Sequence, residues 1–408
     1  MPSEHVTIEG HIIESLILPK VLDEVIELGA TFEIVDLQIG VRHEDPSFAR
    51  IKVTTETDDE LDRLLERLRQ HGANSEIVAD AQLEPADTDG AFPAGFYSTT
   101  NLETEVRIDG KWLRVKHPEM DCGIVAADEA ARTVPMGEVT AGMAVVMEGP
   151  GIRVIPMDKP RLEERQAFEF MSSEISSEKP KALLVDQVAE QMRGVKERGA
   201  RIMWVAGPAV VHTGTGPDLS ALIRAGYVDA FFAGNGVAAH DIESHMFGTS
   251  LGVSLAQGIP AEHGHEHHIR AINEVRRHGS FTAAIDAGVF TDGIVYNLVT
   301  SGCDYLFGGS VRDDGPLPEV VTDMDEVQRR LRAMIWGEEE NLVGYCIVAG
   351  TMLHGIATGN CLPASVPLVC VDINQATVTK LMDRGSWQST GIITDVGLFI
   401  RELAARLT

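Results

Sequence analysis

Five groups of residues have types and spacings that could do chemistry. Gly234-Asn235-Gly236-Val237-Ala238-Ala239 follows an apolar run and leads into a helix-like stretch. It fits G-x-G-x-x-A, in which glycines let the backbone approach a pyrophosphate at a helix N-terminus. The acid expected about 20 residues further on is missing, because that region is Leu251 to Gln257. A plain strand-to-helix turn is therefore the more frequent use of such a pattern. A second group begins at Gly350-Thr351-Met352-Leu353-His354, between the apolar runs Leu342–Ala349 and Val366–Val371, and ends on Asp372. In a β-α-β dinucleotide unit an acid in that place accepts both ribose hydroxyls of NAD and repels the 2′-phosphate of NADP. Capping of a helix that starts near Gln375 is the alternative use of Asp372.

The third group, Arg312-Asp313-Asp314-Gly315-Pro316, puts two acids beside a cation after a strand-like run, and Thr394-Asp395-Val396-Gly397 is a similar polar cluster later on. Either suits a cofactor ribose or a cationic substrate; a charged surface turn is the alternative. The fourth is histidine-rich. His263, His265, His267 and His268 read as a solvated loop ahead of the amphipathic stretch Ile269 to Val275, not as a metal site. His240, Asp241, Glu243 and His245 could hold a metal or line a substrate or cofactor pocket. The fifth is the loop Ala206-Gly207-Pro208 through Val211-His212-Thr213-Gly214-Thr215-Gly216, where an anion or a nicotinamide could sit. No nucleophile elbow, Walker loop or zinc-protease helix is present.

Elements must position these residues. From about Ser172, helix-like stretches alternate with short apolar runs: Ile202–Ala206, Val228–Ala233, Tyr305–Phe307, Leu342–Ala349 and Val366–Val371. That alternation predicts a mostly parallel α/β sheet, whose ligands bind beyond the carboxyl ends of the strands. The first 80 or so residues read as β-α-β-β-α-β, a ferredoxin-like plan with its last strand near Ile77. Asp80 to Gly95 reads as a linker. Asp109-Gly110 between two alternating runs is a hairpin signal, and the chain stays short-stranded to about Pro160. The division expected is 1–85 ferredoxin-like, 96–165 small β domain, and 172–408 Rossmann-like α/β domain.

Composition bounds the function. The 408 residues carry 62 acids against 34 Lys plus Arg, for a formal charge of −28, so a polyanion such as nucleic acid would be repelled. The absence of an 18-residue apolar run excludes a membrane helix, and residues 1–10 show no secretory leader. Five cysteines without C-x-x-C read as free thiols in a reducing cytoplasm.

Taken together, these segments resemble a known family. The N-terminal unit is similar to the conserved region of lysine-ketoglutarate reductase/saccharopine dehydrogenase. Gly207-Pro208-Ala209-Val210-Val211-His212-Thr213-Gly214, Gly234-Asn235-Gly236 with His240-Asp241-Ile242-Glu243, Arg312-Asp313-Asp314-Gly315-Pro316-Leu317-Pro318 and Val371-Asp372-Ile373-Asn374 resemble the archaeal-type ornithine cyclodeaminases. They also resemble the C-terminal part of cyanobacterial bifunctional arginine-catabolic proteins, and the α/β domain is similar in plan to deoxyhypusine synthase. The resemblance implies conversion of L-ornithine to L-proline and ammonia by a hydride lent to, and returned from, a bound NAD. It implies cofactor contacts at Asn235, Gly236, Asp314, Thr351, Met352, Leu353, His354, Asp372, Asp395 and Val396. The family often has Ala at the position of Gly236, where the contact would be through the backbone. Asp313, Asp314, His240 and Asp241 are the candidates for catalytic base and acid pair, and Arg312 for holding the substrate carboxylate. The resemblance further implies a cytoplasmic homo-oligomer with no metal, no nucleic acid and no membrane partner. Two rival readings keep NAD: a saccharopine-type dehydrogenase that accumulates NADH, and a non-catalytic ornithine sensor.

Overall fold

The computed structural model describes residues 1–13, 16–41, 45–77, 79–127, 130–155, 181–311, 315–337, 341–384 and 389–408. The chain forms two compact units: residues 1–169 with 362–365, and the remainder.

In the first unit, a four-stranded antiparallel sheet runs, edge to edge, Thr31–Gln38, Ser47–Thr54, Ser3–Gly10, Asn74–Ser75, with the helices Ile17–Glu27 and Asp58–Gln70 between strands in the chain. Ala49, Ile51 and Val53 alternate inward from the second strand, as period-2 patterning requires. The helix Asp58–Gln70 begins in a capping box: Thr57 Oγ1 accepts from Glu60 N–H at 3.3 Å, while Glu60 Oε2 accepts from Thr57 N–H at 3.1 Å. This is the ferredoxin-like order expected, with the last strand a little earlier than Ile77.

A seven-stranded, mostly antiparallel sheet follows. Its hairpin joins Thr104–Ile108 to Lys111–Lys116 through Asp109 (φ 48°) and Gly110 (φ 78°), so two left-handed residues make the turn that the Asp-Gly pair signals. The linker expected over Asp80–Gly95 is instead partly sheet. Leu83–Pro85 pairs with Ala144–Val146, and the Asp80 carboxylate accepts from Gly110 N–H at 3.1 Å and Arg107 Nη1 at 2.6 Å. Its composition hid an edge strand because three residues are too few to show a period.

The second unit is a seven-stranded parallel sheet. Its order is Val320–Val321, Asp304–Gly308, Ala230–Gly234, Arg201–Ala206, Val343–Ala349, Leu368–Asp372, Ser389–Ile393. The first of these is an addition to the sequence reading, and the last is the strand whose end the cluster Thr394-Asp395 marks. Register aligns the carboxyl ends: Ala206 lies opposite Ala233 and Ala349, Gly234 opposite Gly308, and Asp372 opposite Ile393. Trp204, Phe231, Phe307, Tyr345 and Phe399 are fully buried in one core. Each such side chain contributes about 1.5–3 kcal/mol relative to exposure. The strands are apolar on both faces because helices cover both, and that rigid platform fixes where the strand-end residues point.

Candidate active site

The strand order reverses between Arg201–Ala206 and Val343–Ala349, because the chain builds outward from the first of these in both directions. In an open parallel sheet that point opens a crevice beyond the strand ends. Two glycines make it possible. Gly207 donates its N–H to Ala349 O at 2.8 Å, and a Cβ on Gly207 would stand 1.9 Å from Gly350 O. Gly350 is left-handed (φ 64°), and a Cβ there would lie 2.9 Å from the Ala209 methyl.

The glycines of the G-x-G pattern do something else. Gly234 is extended (φ −87°), and a Cβ on it would meet His354 Cε1 at 3.0 Å. The His354 ring thus lies across the strand end, edge-on to Phe232 at 4.7 Å, and burial lowers its pKa. Asn235 is buried at the head of the helix Asn235–Phe247, and its Oδ1 accepts from Leu317 N–H at 3.0 Å. Gly236, in the same first turn, faces Pro208.

On the other flank, Gly350-Thr351-Met352 turns into the helix Leu353–Cys361, whose Leu353 is 75% exposed. Thr351 Oγ1 lies 3.5 Å from His354 Nδ1. Asp372 ends its strand half-buried, with Oδ1 accepting from Asn374 N–H at 2.7 Å. Asn374 Oδ1 in turn takes Ala376 N–H at 2.9 Å in the first turn of Gln375–Arg384. The capping is thus done by Asn374, and Asp372 is held at the crevice by an Asx turn. Asp395 caps Val396–Leu407 through Leu398 N–H at 2.8 Å, while Val396 is buried.

Helix Asn235–Phe247 carries the remaining candidates. His240 Nδ1 is 2.8 Å from Glu243 Oε2, and Glu243 is fully buried. Glu243 Oε1 also accepts from Thr249 Oγ1 at 2.8 Å and Gly252 N–H at 2.9 Å. Burial pushes the Glu243 carboxyl up, but hydrogen bonds from His240, Gly252 and Thr249 outweigh it, and the net shift is downward. The His212 ring meets His240 edge-on at 4.8 Å, with Nδ1 2.7 Å from Ser250 Oγ. Burial, with His240 adding to it and Glu243 opposing, lowers His212 to about 4. Asp241 turns the other way. Its Oδ2 accepts from Val295 N–H at 2.8 Å at the start of the helix Ile294–Ser301, and burial raises its pKa to about 6 despite that bond.

Arg312, Asp313 and Asp314 lie outside the described residues. Within the histidine run, His263 and His265 are exposed, while His267 stacks on Phe247 and its Nδ1 lies 2.8 Å from Thr249 Oγ1. Sequence reasoning grouped His240 with Glu243 but did not pair His240 with His212. Nothing in a spacing of 28 residues signals that contact. None of the five cysteines forms a disulfide.

One observation fits a dinucleotide at this crevice, whose two glycines are themselves demanded by the packing of Gly207 on Gly350 O and of Gly350 on Ala209. The Thr394 hydroxyl, beyond the strand Ser389–Ile393, is buried without a hydrogen-bond partner among the described residues, an arrangement that costs free energy unless a ligand or water supplies one.

Family models match nearly the whole chain: the LOR/SDH bifunctional enzyme conserved region over residues 3–102, the first C-terminal region of ArgZ-like arginine dihydrolase over 103–185, and its C-terminal Rossmann fold over 186–403. An ornithine cyclodeaminase of Methanopyrus kandleri is 47% identical over 406 residues, 99% of this chain and 97% of that one. The chain belongs to the ornithine cyclodeaminase family. Among solved structures of this family's relatives, apo ArgZ, a cyanobacterial arginine dihydrolase, superposes with TM-score 0.84 at 34% identity. AgrE in ternary complex with ornithine and NAD+ superposes with TM-score 0.54 at 37% identity. The chain is covered completely in both, yet spans only 58% and 57% of those longer proteins. The Rossmann-like C-terminal domain expected from the sequence is therefore present.

Proposed function

We propose that the protein is an NAD-dependent ornithine cyclodeaminase, converting L-ornithine to L-proline and ammonia. The carrying observation is end-to-end likeness to an ornithine cyclodeaminase, 47% identical over 99% of this chain and 97% of that one. The relative solved with both ornithine and NAD+ supports the same pairing of substrate and cofactor. When bound, NAD supplies a hydride acceptor that takes the Cα hydride and gives it back. We assign the cofactor to the crevice at Gly207 and Gly350. Asp372 takes the ribose hydroxyls, and the turn Thr351, Met352, Leu353 with His354 backs the pyrophosphate. Asp395, Val396, Asn235, Gly236 and Asp314 complete the contacts. His240 is the base for the substrate amines, Asp313 and Asp314 hold the δ-ammonium, and Arg312 holds the carboxylate. Asp241 acts at one remove, by fixing the helix Ile294–Ser301 against its own helix. The three-part division at 1–85, 96–165 and 172–408, a homo-oligomeric state and a cytoplasmic location belong to the same proposal. Among the described residues no helix is long and apolar enough to cross a membrane.

The test is turnover. Ornithine with NAD far below its concentration must give proline and ammonia in equal amounts with no net NADH, and deuterium at Cα must return largely to Cα of proline. Lysine, which closes to a six-membered ring, should react more slowly, because a mispositioned amine loses part of the advantage of an oriented internal attack. Stoichiometric NADH with an oxo acid would establish the dehydrogenase reading instead, and ornithine binding without proline the sensor.

A further inference from the structure

We propose that Glu243 is a positioning residue that fixes His240, packed edge-on against His212, as the base that takes the amine protons. This rests on the cyclodeaminase reading of the crevice. Glu243 is 0% exposed and carries four hydrogen bonds: from Thr249 Oγ1, from Leu251 and Gly252 N–H, and with His240 Nδ1. A buried carboxylate of that kind accepts and does not donate, so the His240 proton sits on Nδ1 and the lone pair on Nε2. His212 ends the short helix Ala209–His212, whose Ala209 abuts Gly350. The next residue, Thr213, sits against Gly397 at the head of Val396–Leu407. The pair therefore lies one helical turn from the switch point. Neither ring is fully buried.

The proton balance is simple. The substrate ammonium loses a proton to His240 Nε2, so one N–H bond breaks as another forms. The freed lone pair stays on the amine, and the proton later returns to the departing nitrogen as ammonia. The titratable groups facing His240 are Glu243 on its own helix, His212 from Ala209–His212, and His268 from His267–His278 at 6.1 Å between rings. A purely structural Glu243 would only fasten the turn at Leu251 and Gly252.

The experiment uses the NAD-loaded protein and Glu243→Gln. Loss of the anion weakens proton binding at His240, so the acid limb of kcat/KM for ornithine must shift to lower pH. We expect kcat to fall about 10–100-fold, the range seen when a group that orients a functional side chain is removed. KM for ornithine and the rise in melting temperature with NAD should hold. An unmoved acid limb, or kcat unchanged, overturns the proposal. A second measurement needs neither turnover nor the variant. 15N spectra of the wild-type imidazoles must show His240 protonated at Nδ1, and an Nε2–H tautomer overturns the pairing. Wild-type protein that makes no proline would sink the cyclodeaminase reading, and the tautomer would still decide the pairing.

Discussion

The two flanks of the switch point are built differently. Beyond Leu368–Asp372 and Ser389–Ile393, the acids bond within two or three residues of themselves: Asp372 to Asn374, and Asp395 to Leu398. Beyond Ala230–Gly234, the polar side chains reach far along the chain: Asn235 to Leu317, Asp241 to Val295, Glu243 to Gly252. Local bonds set a side chain at a helix start and leave it open to solvent and ligand. Distant bonds bury the side chain and use it to fasten loops. The first flank is ready-made for a ligand, and the second must hold several loops in place before any ligand arrives.

This contrast can be broken or sharpened. The largest effect should come where the flanks meet. Gly207→Ala drives a methyl into Gly350 O, and overpacking of this kind costs about 3 kcal/mol. A melting temperature within a degree of wild type would show the crevice to be more compliant than its geometry implies. Next, Asp372→Ala should weaken NAD binding by about 1–3 kcal/mol, the scale of bonds to a charged acceptor, while leaving the fold intact, since its bonds are local. Unchanged affinity by calorimetry would remove the ribose role.

On the other flank, Asp241→Asn should show itself through pH. The folded pKa of Asp241, about 6, lies above the ordinary carboxylate value. Its contribution is thus fully present below the unfolded pKa and is lost as pH rises through about 6. Relative to wild type, the variant should gain stability between pH 4 and 7, by on the order of 1–3 kcal/mol across that window. A pH-independent difference in denaturation midpoint would contradict the buried, proton-binding state. The smallest effect is expected for His263→Ala with His265→Ala, exposed residues whose loss should change stability by less than about 0.5 kcal/mol and leave turnover unchanged. Lost activity restored by added metal would overturn that. His267 stands apart from these two, because its ring is tied to Thr249 and Phe247.

The alternation of apolar runs and helices was legible in the sequence because burial on both faces imposes it residue by residue. So were the Asp-Gly hairpin and the acids that end strands, since their partners are two or three residues away. The residues determined that a parallel sheet would present Asp372 and Asp395 at its carboxyl edge. What Gly234 is for was decided in three dimensions: it makes room for His354, 120 positions along the chain. The demand for glycine at 207 and 350, and the meeting of His212 with His240, likewise arise only when the strand order reverses and brings separate turns together. Local hydrogen bonds and periodicity are written along the chain. Contacts across a switch point depend on which strands become neighbours, and only the folded sheet settles that.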